Sequence, residues 1–366
     1  MNSMNKRRRL EAAIAGQPVD RPPVALWRHW PGDDQRAEDL ACATLDFQRA
    51  FDFDFIKFMP SSNYCLADWG AGSRWVGNEE GTREWGRRVI QRPEDWTRLP
   101  VLDPRRGMLG EMHRALTLVG QAVGEEVPFI QTIFNPLAQA RNLAGERLLA
   151  DLRQHPDVVK AGLETITEST IRFIEAAGET GIAGIFLALQ HATYDLLSEA
   201  EYREFGRPYD LRILEACAGF WFNLLHLHGQ HVMFDLVADY PVQAINWHDQ
   251  ETPPSLGEAL MRFPGAVVGG IHREATLLRS TPEQVRVEVR AAIEATGGRR
   301  LIVGTGCVAF TNTPLGNIRA ARQAAEGGDV EQGSRGAREQ GISAPLHRIG
   351  KEFLLNLRSR VRMNMT

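Results

Sequence analysis

FNLLHLHGQHVMFDLVADYPVQAINWHD, residues 222–249, is the stretch of the chain that indicates the fold. Two short apolar runs, Phe222–His226 and Gln243–Trp247, lie at its ends, and a segment of helical length separates them. Short runs rich in Leu, Ile and aromatic residues that stop at polar residues are typical of buried strands. The stretch therefore predicts a strand–helix–strand unit, in which the two strands are parallel.

The same alternation of short apolar runs and longer helical patterns continues along the chain. Eight runs are found, and eight is the number of parallel strands that closes a barrel with helices outside. We therefore predict a TIM-like (β/α)8 barrel of the α/β class. The predicted strands are Val24–Trp27, Phe55–Phe58, Phe129–Ile133, Ile182–Leu187, Phe222–His226, Gln243–Trp247, Ala266–Ile271 and Leu301–Gly304.

Helix start and stop signals lie between these runs. Thr-Pro pairs open helices at Thr281 and Thr313, and Gly-Gly pairs follow both segments. A third helix is predicted from Pro156 to Ala177, and Ser198 with Glu201 forms a capping-box pattern. A hydroxyl before the first turn accepts a free backbone N–H, and proline suits the first helical position.

Two regions depart from the repeat. Residues Asn63–Pro100, between the second and third strands, are rich in Gly, Trp and Arg, and we predict short antiparallel strands there that overhang the barrel mouth as a lid. Beyond Glu326 the helical pattern ends. We predict a single barrel domain over 1–326 and a C-terminal tail, 327–366, that is partly disordered.

Composition excludes several classes of protein. In 366 residues, 43% are hydrophobic and 24% charged, which is typical of a globular protein and not of a disordered or fibrous one. The net charge of −4 makes nucleic acid an unlikely partner, and no apolar run reaches the ~20 residues that span a bilayer. Four scattered cysteines do not make a disulfide framework, so we expect reduced thiols and a cytoplasmic location.

Histidines cluster where the strands end. In a parallel barrel the active site lies at the carboxyl ends of the strands. Six of the ten histidines follow a predicted strand within a few residues: His29, His191, His226, His228, His248 and His272.

The pair His226 and His228 and the thiol of Cys307 form the sharpest candidate site. Residues i and i+2 of an extended segment point to the same side, so both imidazoles can reach one ion, and Cys307 follows the eighth strand at the same mouth. Two imidazoles and one thiolate leave a fourth position open, as in catalytic zinc sites. The alternative is that the histidines are hydrogen-bonded structural groups and that Cys307 is a small buried hydrophobe.

Other residues at the strand ends are weaker candidates. His248, Asp249 and His272 are predicted to act as acid, base or supporting groups, although Asp249 could also cap a turn beside a buried tryptophan. Arg28 is suited to a substrate carboxylate. With it, the predicted substrate-binding residues are Met59, Asn135, Gln190, His191 and Thr305. No GxGxxG motif follows the first strand, so a Rossmann cofactor is not supported.

Both ends of the barrel region resemble a known family. The run from Arg9 to Val24, LEAAIAGQPVDRPPV after the arginine, resembles the start of the uroporphyrinogen decarboxylase superfamily. The segment from Gly304 to Ile318, with Cys307 and TPLGNI, is similar to the last strand and helix of that superfamily. The resemblance covers about Lys6–Glu326 and implies a TIM-like barrel.

Two branches of the superfamily differ in their residues. The decarboxylases carry two arginines four apart after the first strand and a His in a Gly-His-Gly near the last; here the second arginine falls on Gly32 and that histidine on Thr305. The zinc-dependent methyltransferases carry His-x-Cys after the fifth strand and Cys after the eighth. This chain matches at His226 and Cys307 but has His228 at the middle position.

The resemblance therefore implies a zinc-dependent methyl or alkyl transferase that acts with a thiol or with a methyl group on a corrinoid. The corrinoid would be carried by a separate protein, the zinc ligands would be His226, His228 and Cys307, and the other partner would be a small molecule. The alternatives are a uroporphyrinogen decarboxylase of tetrapyrrole biosynthesis, which needs no cofactor, and a ligand-binding barrel without turnover. The sequence leaves the oligomeric state open, with a homo-oligomer as one alternative.

Overall fold

A curled sheet of seven parallel strands forms the centre of the computed structural model, which describes residues 3–326. Its order is β1-β4-β5-β6-β7-β8-β9, so each strand of the sheet pairs with the next one along the chain. This order is that of a TIM-like barrel, and it confirms the predicted fold class. The strands are β1 (Ile56–Phe58), β4 (Phe129–Phe134), β5 (Gly184–Leu189), β6 (Leu224–Leu227), β7 (Ala244–Trp247), β8 (Ala266–Ile271) and β9 (Leu301–Thr305).

The predicted first strand, Val24–Trp27, is not a regular strand. Its segment contacts β9 through single bridges, Val24 with Val303 and Arg28 with Ala309, and the carbonyl of Val24 accepts from the backbone N–H of Asp54 just before β1. The segment thus lies between the two outer strands of the sheet and takes the eighth place. Two prolines, Pro22 and Pro23, remove backbone donors before it, and the backbone N–H of Val24 donates to the Asp54 carboxylate instead of to a neighbouring strand.

The other predicted strands are found with small shifts at their ends. The largest concerns the fourth predicted run, Ile182–Leu187, because β5 begins at Gly184 and continues to Leu189. Every residue of β4 to β9 is buried. Strands that are covered on both faces show no alternation of polar and apolar residues. The sequence therefore does not mark the residue at which such a strand begins or ends, which explains the shifts.

Twelve α-helices surround the sheet within residues 3–326. Ser198 caps α7 and Thr281 caps α11 through their side chains, as the sequence predicted. The helices are α1 (Lys6–Ile14), α2 (Ala37–Phe51), α3 (Gly107–Val123), α4 (Pro136–Ala144), α5 (Arg147–Gln154), α6 (Pro156–Gly178), α7 (Glu199–Phe205), α8 (Arg207–Ala216), α9 (Phe234–Val237), α10 (Leu256–Arg262), α11 (Pro282–Thr296) and α12 (Leu315–Ala324). Short helical turns occur at Asp33–Gln35, Ala67–Trp69 and Pro93–Arg98, and a π-helix at Arg273–Leu278.

The insertion after β1 contains the predicted antiparallel pair, β2 (Gly72–Trp75) and β3 (Arg83–Arg87). Its far end is anchored to the outer helices because Trp96 is fully buried and donates from Nε1 to Asp151 of α5. The loop between the two strands contacts the segment after β9, where the backbone and hydroxyl of Thr311 both donate to the carbonyl of Glu79. The insertion therefore reaches the carboxyl edge of the sheet.

Two further expectations concern membrane crossing and the C-terminal tail. Within residues 3–326 no helix combines the length and the apolar character needed to cross a bilayer. The predicted tail, 327–366, lies outside the described residues, and the predicted domain boundary stays a prediction.

Candidate metal centre

Four side chains converge at the carboxyl edge of the sheet. His226 lies in β6, His228 directly after it, His248 directly after β7, and Cys307 two residues after β9. Their ligand atoms all lie within 4.8 Å of one another, and three of the four residues are buried. The structure thus brings together the three predicted ligands and adds His248, which the sequence had suggested only as an acid, a base or a supporting group.

Chain geometry explains the convergence. The inner faces of β6 and β7 are in register, with His226 opposite Asn246. Gly306 lets the loop after β9 approach the end of β7, because a Cβ on this residue would lie 2.6 Å from the Cα of His248. A side chain at Gly306 would therefore separate Cys307 from the histidines.

Asn246 orients His226. The Nδ1–H of His226 donates to Asn246 Oδ1 at 2.7 Å, while Asn246 Nδ2 donates to the carbonyls of Val268 and Thr305 at 2.8 and 3.1 Å. Both carbonyls are fixed by the sheet, so the amide presents its oxygen to the histidine. This leaves Nε2 of His226 as the atom available to a ligand. Sequence reasoning passed over Asn246, although a polar residue inside a buried strand is a recognisable signal.

The three imidazoles around Cys307 favour the thiolate form of its side chain. Burial alone would raise the pKa of Cys307, but the neighbouring imidazoles of His226, His228 and His248 lower it well below its ordinary value. Burial lowers the pKa of His226 to about 4. For His228, whose Nδ1 lies 3.8 Å from the sulfur, the thiolate outweighs burial and raises the pKa. His248 Nε2 is buried and has no hydrogen-bond partner among the described residues.

Two further predicted catalytic residues lie at the neighbouring strand ends but outside the cluster. Asp249 is half-buried against β8, accepts from the backbone of Gly270 at 3.0 Å, and desolvation of its carboxylate raises its pKa to about 6. His272 caps the π-helix after β8, since its Nδ1 accepts from the backbone of Glu274 and Ala275. These contacts are structural, and the catalytic roles of Asp249 and His272 stay predictions.

The predicted substrate-binding residues on the first three barrel segments are engaged with their neighbours. The Arg28 guanidinium lies over the Trp30 ring, 4.8 Å from its centroid. Met59 is buried and its sulfur contacts Lys57. Asn135 caps α4 and donates to Asp210 at 2.8 Å, so both ends of its amide have partners. None of these contacts tests substrate binding.

The remaining three candidates lie nearer to the cluster. Burial lowers the pKa of His191 to about 3, with the charge of His228 contributing, and its Nδ1 has no partner among the described residues. Gln190 precedes it and is half-buried. Thr305 is fully buried and its hydroxyl donates to the carbonyl of Cys307, which holds the loop that carries the thiol.

Two charged groups near the cluster escaped the sequence analysis. Lys57 is buried in β1, its Nζ lies 3.9 Å from the ring centroid of Phe186, and burial lowers its pKa to about 7. A lysine within an apolar strand, Phe55-Ile56-Lys57-Phe58, is the signal that could have identified it. Arg273, the second residue after β8, forms an ion pair with Glu80 from the β2–β3 loop. Partners so distant in sequence cannot be inferred from spacing.

Comparisons with known proteins agree with this architecture. The model of the family "Uroporphyrinogen decarboxylase (URO-D)" matches residues 5–327. The methylcobamide:CoM methyltransferase MtbA of Methanosarcina acetivorans is 21% identical over 87% of this chain and 97% of its own length. MtaA of Methanosarcina barkeri, a methyltransferase of the same description, is 24% identical with the same coverage.

A solved structure shows the same fold. A methyltransferase from Methanosarcina mazei superposes with a TM-score of 0.78 at 20% identity, covering 88% of this chain and 99% of the other. The family model spans nearly all of the described residues, as the resemblance at both ends of the barrel had implied. On this evidence, the chain belongs to the uroporphyrinogen decarboxylase family.

Proposed function

We propose that this chain is a zinc-dependent methyltransferase that moves a methyl group between a corrinoid and a thiol. The observation that carries the proposal is the convergence of one thiol and three imidazoles within 4.8 Å at the carboxyl edge of the barrel. Thiolate and imidazole are the donors that zinc prefers. The relatives that match over 87% of this chain and 97% of their own length are methylcobamide:CoM methyltransferases, which favours methyl transfer over decarboxylation.

The donor set fits zinc in chemistry and in spacing. Ligands about 2.0–2.3 Å from a tetrahedral zinc lie about 3–4 Å apart, so small side-chain rotations would bring the ligand atoms of His226, His228 and Cys307 into range. The Cys307 sulfur already favours the anionic form that binds metal, and His226 presents Nε2 because Asn246 holds Nδ1. When bound, zinc supplies a Lewis acid that makes a thiol ligand deprotonate near neutral pH.

His248 has a separate role in the proposal. Zinc commonly takes four ligands, so three protein donors leave one position for the acceptor thiol. We assign His226, His228 and Cys307 to the metal, and His248 to the proton of the acceptor thiol. Its Nε2 is buried without a partner, and its Nδ1 lies 3.5 Å from Glu251 Oε2, which would stabilise the imidazolium after proton uptake.

The partners follow from the same reaction. Because the relatives act as methylcobamide:CoM methyltransferases, we propose that the methyl-carrying corrinoid is bound to a separate protein and that the acceptor is a small thiol. All four cysteines are free, which suits the reducing cytoplasm as the place of action.

Metal analysis of the purified protein tests the zinc site. We expect about one zinc per chain, lost in Cys307→Ala and retained in Cys217→Ala. Cys217 is an equally buried thiol at the end of α8, so this control removes a sulfur without touching the cluster. A wild-type protein that takes up no zinc when supplied with it would contradict the metal site.

An activity assay tests the reaction. Zinc-loaded protein, methylcobalamin and a small thiol should yield the methyl thioether, and Cys307→Ala should lose that yield while Cys217→Ala keeps it. Turnover of uroporphyrinogen without methyl transfer would instead establish the decarboxylase alternative. If neither reaction occurred while zinc and a thiol still bound, the result would favour a ligand-binding barrel.

A further inference from the structure

The ion pair between Arg273 and Glu80 lies beside the metal centre and is not explained by the fold. Arg273 follows β8, the strand between those that carry His248 and Cys307, and its side chain is only 16% exposed. Glu80 comes from the β2–β3 loop, 193 residues earlier in the chain, and is 31% exposed. In a half-buried ion pair, the attraction between the two charges must offset the free energy that both lose when they leave water.

The surroundings of Arg273 are those of a ligand site. Its guanidinium lies over the ring of Phe310, 4.9 Å from the centroid, and Phe310 is the third residue after Cys307. Burial disfavours its charged form, but the charges of Cys307, Glu80 and Glu251 act in the opposite direction and raise the pKa of Arg273. The arginine therefore stays charged, lies over an aromatic ring, and is close enough to the centre for its charge to act on Cys307.

Glu80 is held in place by a compact loop. Asn78 accepts from the backbone of Gly81 and Thr82 and donates to the carbonyl of Thr82, so the turn is closed on itself. The turn contacts the edge of the barrel through Glu79, whose carbonyl accepts from Thr311 and whose carboxylate accepts from Asn312. At Gly81, where φ is +79°, a Cβ would lie 2.7 Å from His29. The loop 78–82 thus lies across the mouth.

We infer that Arg273 binds the anionic group, a carboxylate or a sulfonate, of the small acceptor thiol, and that Glu80 occupies this position until the acceptor displaces it. The inference rests on the proposed function for the identity of the ligand as the acceptor. The carboxylate of Glu80 binds Arg273 in the same way as the acid group of a ligand would. Displacement of Glu80 removes one of the contacts that hold loop 78–82 on the barrel.

Binding experiments with two matched thiols test the site. 3-Mercaptopropionate and 2-mercaptoethanol differ chiefly in the carboxylate, and 2-mercaptoethanesulfonate distinguishes sulfonate from carboxylate. By titration calorimetry on zinc-loaded protein, we expect each anionic thiol to bind at least about tenfold more tightly than the neutral one, as one charge-assisted contact allows. Equal binding of all three thiols would overturn the inference.

Variants separate ligand binding from a structural role. Arg273→Met should abolish the preference for the anion and leave 2-mercaptoethanol unchanged, whereas Arg279→Met is a matched control. Arg279 ends the same π-helix, is 62% exposed and pairs with Glu274. Loss of the preference in both variants would contradict a specific site at Arg273.

Glu80→Gln is the decisive variant, and it keeps the shape of the side chain if Arg273→Met fails to fold. Because the competing charge is removed, the anionic thiol should bind about three- to tenfold more tightly, while a purely structural ion pair predicts weaker or unchanged binding. Unchanged or weaker binding would overturn the inference.

Hydrogen exchange provides a readout that needs neither metal nor turnover. Adding propane-1-sulfonate to chelator-treated protein should speed exchange of the Thr311 amide, which donates to Glu79, and of the amides in loop 78–82. Slower or unchanged exchange would contradict displacement of Glu80. Anion-selective binding by a protein that takes up no zinc when supplied with it and transfers no methyl group would overturn the proposed function and leave the Arg273 site standing. Methyl transfer to neutral and anionic thiols alike would overturn the inference about Arg273 and leave the proposed function standing.

Discussion

Asn246 shows how one buried side chain orients a proposed metal ligand. Its amide is held by the carbonyls of Val268 and Thr305, and its oxygen accepts the Nδ1–H of His226. Residues that fix the tautomer of a histidine ligand typically contribute 10–100-fold to metal affinity. In the proposed zinc site, the affinity for the metal would therefore depend on a residue that is not itself a ligand.

Replacing Asn246 tests this dependence. Asn246→Ala should weaken zinc binding by about 10–100-fold, because His226 loses the partner that fixes its ring. Asn317→Ala is the control, since Asn317 is equally buried and its amide also donates to two carbonyls, those of Leu277 and Ser280. Competition with a chromophoric chelator measures both affinities. If the two variants lost the same affinity, general destabilisation would be the cause.

At this scale the sequence named most of the candidate centre. His226, His228 and Cys307 were identified because each ends a predicted strand or closely follows one. The proximity of His248 to them was not predictable, since it depends on the backbone approach that Gly306 allows. The pairing of Arg273 with Glu80 was equally inaccessible, because the β2–β3 loop has no register that would place it over a particular strand.

At the scale of the elements, the junction of α6 with the insertion is closely packed. Gly162, in the middle of α6, faces the fully buried Trp96 of the Pro93–Arg98 turn. A Cβ on Gly162 would lie 2.6 Å from Cε3 of that ring. The glycine is thus required by packing, although it lowers the intrinsic stability of the helix.

A pair of glycine substitutions separates packing from helix propensity. Gly162→Ala should lower the free energy of unfolding by about 1–3 kcal/mol, because the added methyl group overpacks the junction. Gly316→Ala in α12, where the nearest atom is 3.7 Å away, should instead raise it by up to about 1 kcal/mol. Urea denaturation measures both. Stabilisation by Gly162→Ala would mean that Trp96 moves freely.

For the whole molecule, Asp210 links local burial to pH-dependent stability. Its fully buried carboxylate accepts from Asn135, Tyr202 and Tyr240 and so joins α8 to α4, α7 and the segment before β7. Burial raises its pKa from an ordinary 3.8 to about 6, against the three hydrogen bonds. The folded chain therefore retains this proton to a higher pH than the unfolded chain does, and the resulting stabilisation, complete below about pH 4, is lost as the pH rises through 6.

The variant Asp210→Asn removes this titration. A difference of about two pH units between the folded and unfolded pKa corresponds to about 3 kcal/mol. Because the unfolded carboxyl group is already partly ionised at pH 4, the free energy of unfolding of the wild type minus that of the variant should fall by about 2–3 kcal/mol between pH 4 and pH 7, whatever its value at pH 4. Urea denaturation at both pH values measures it. A constant difference would show that Asp210 is ionised throughout.

Local patterns in the chain were sufficient for the barrel class, the capped helices, the antiparallel insertion and the strand-end histidines. Each of these depends on neighbours in sequence: apolar run lengths, capping residues, and the rule that parallel strands end at one edge. Tertiary structure decided that Val24–Trp27 is not a regular strand, that β5 ends at Leu189, and that His248 joins the cluster. It also decided the partner of Arg273, because side chains distant in sequence meet only when the sheet curls and the loops pack on it.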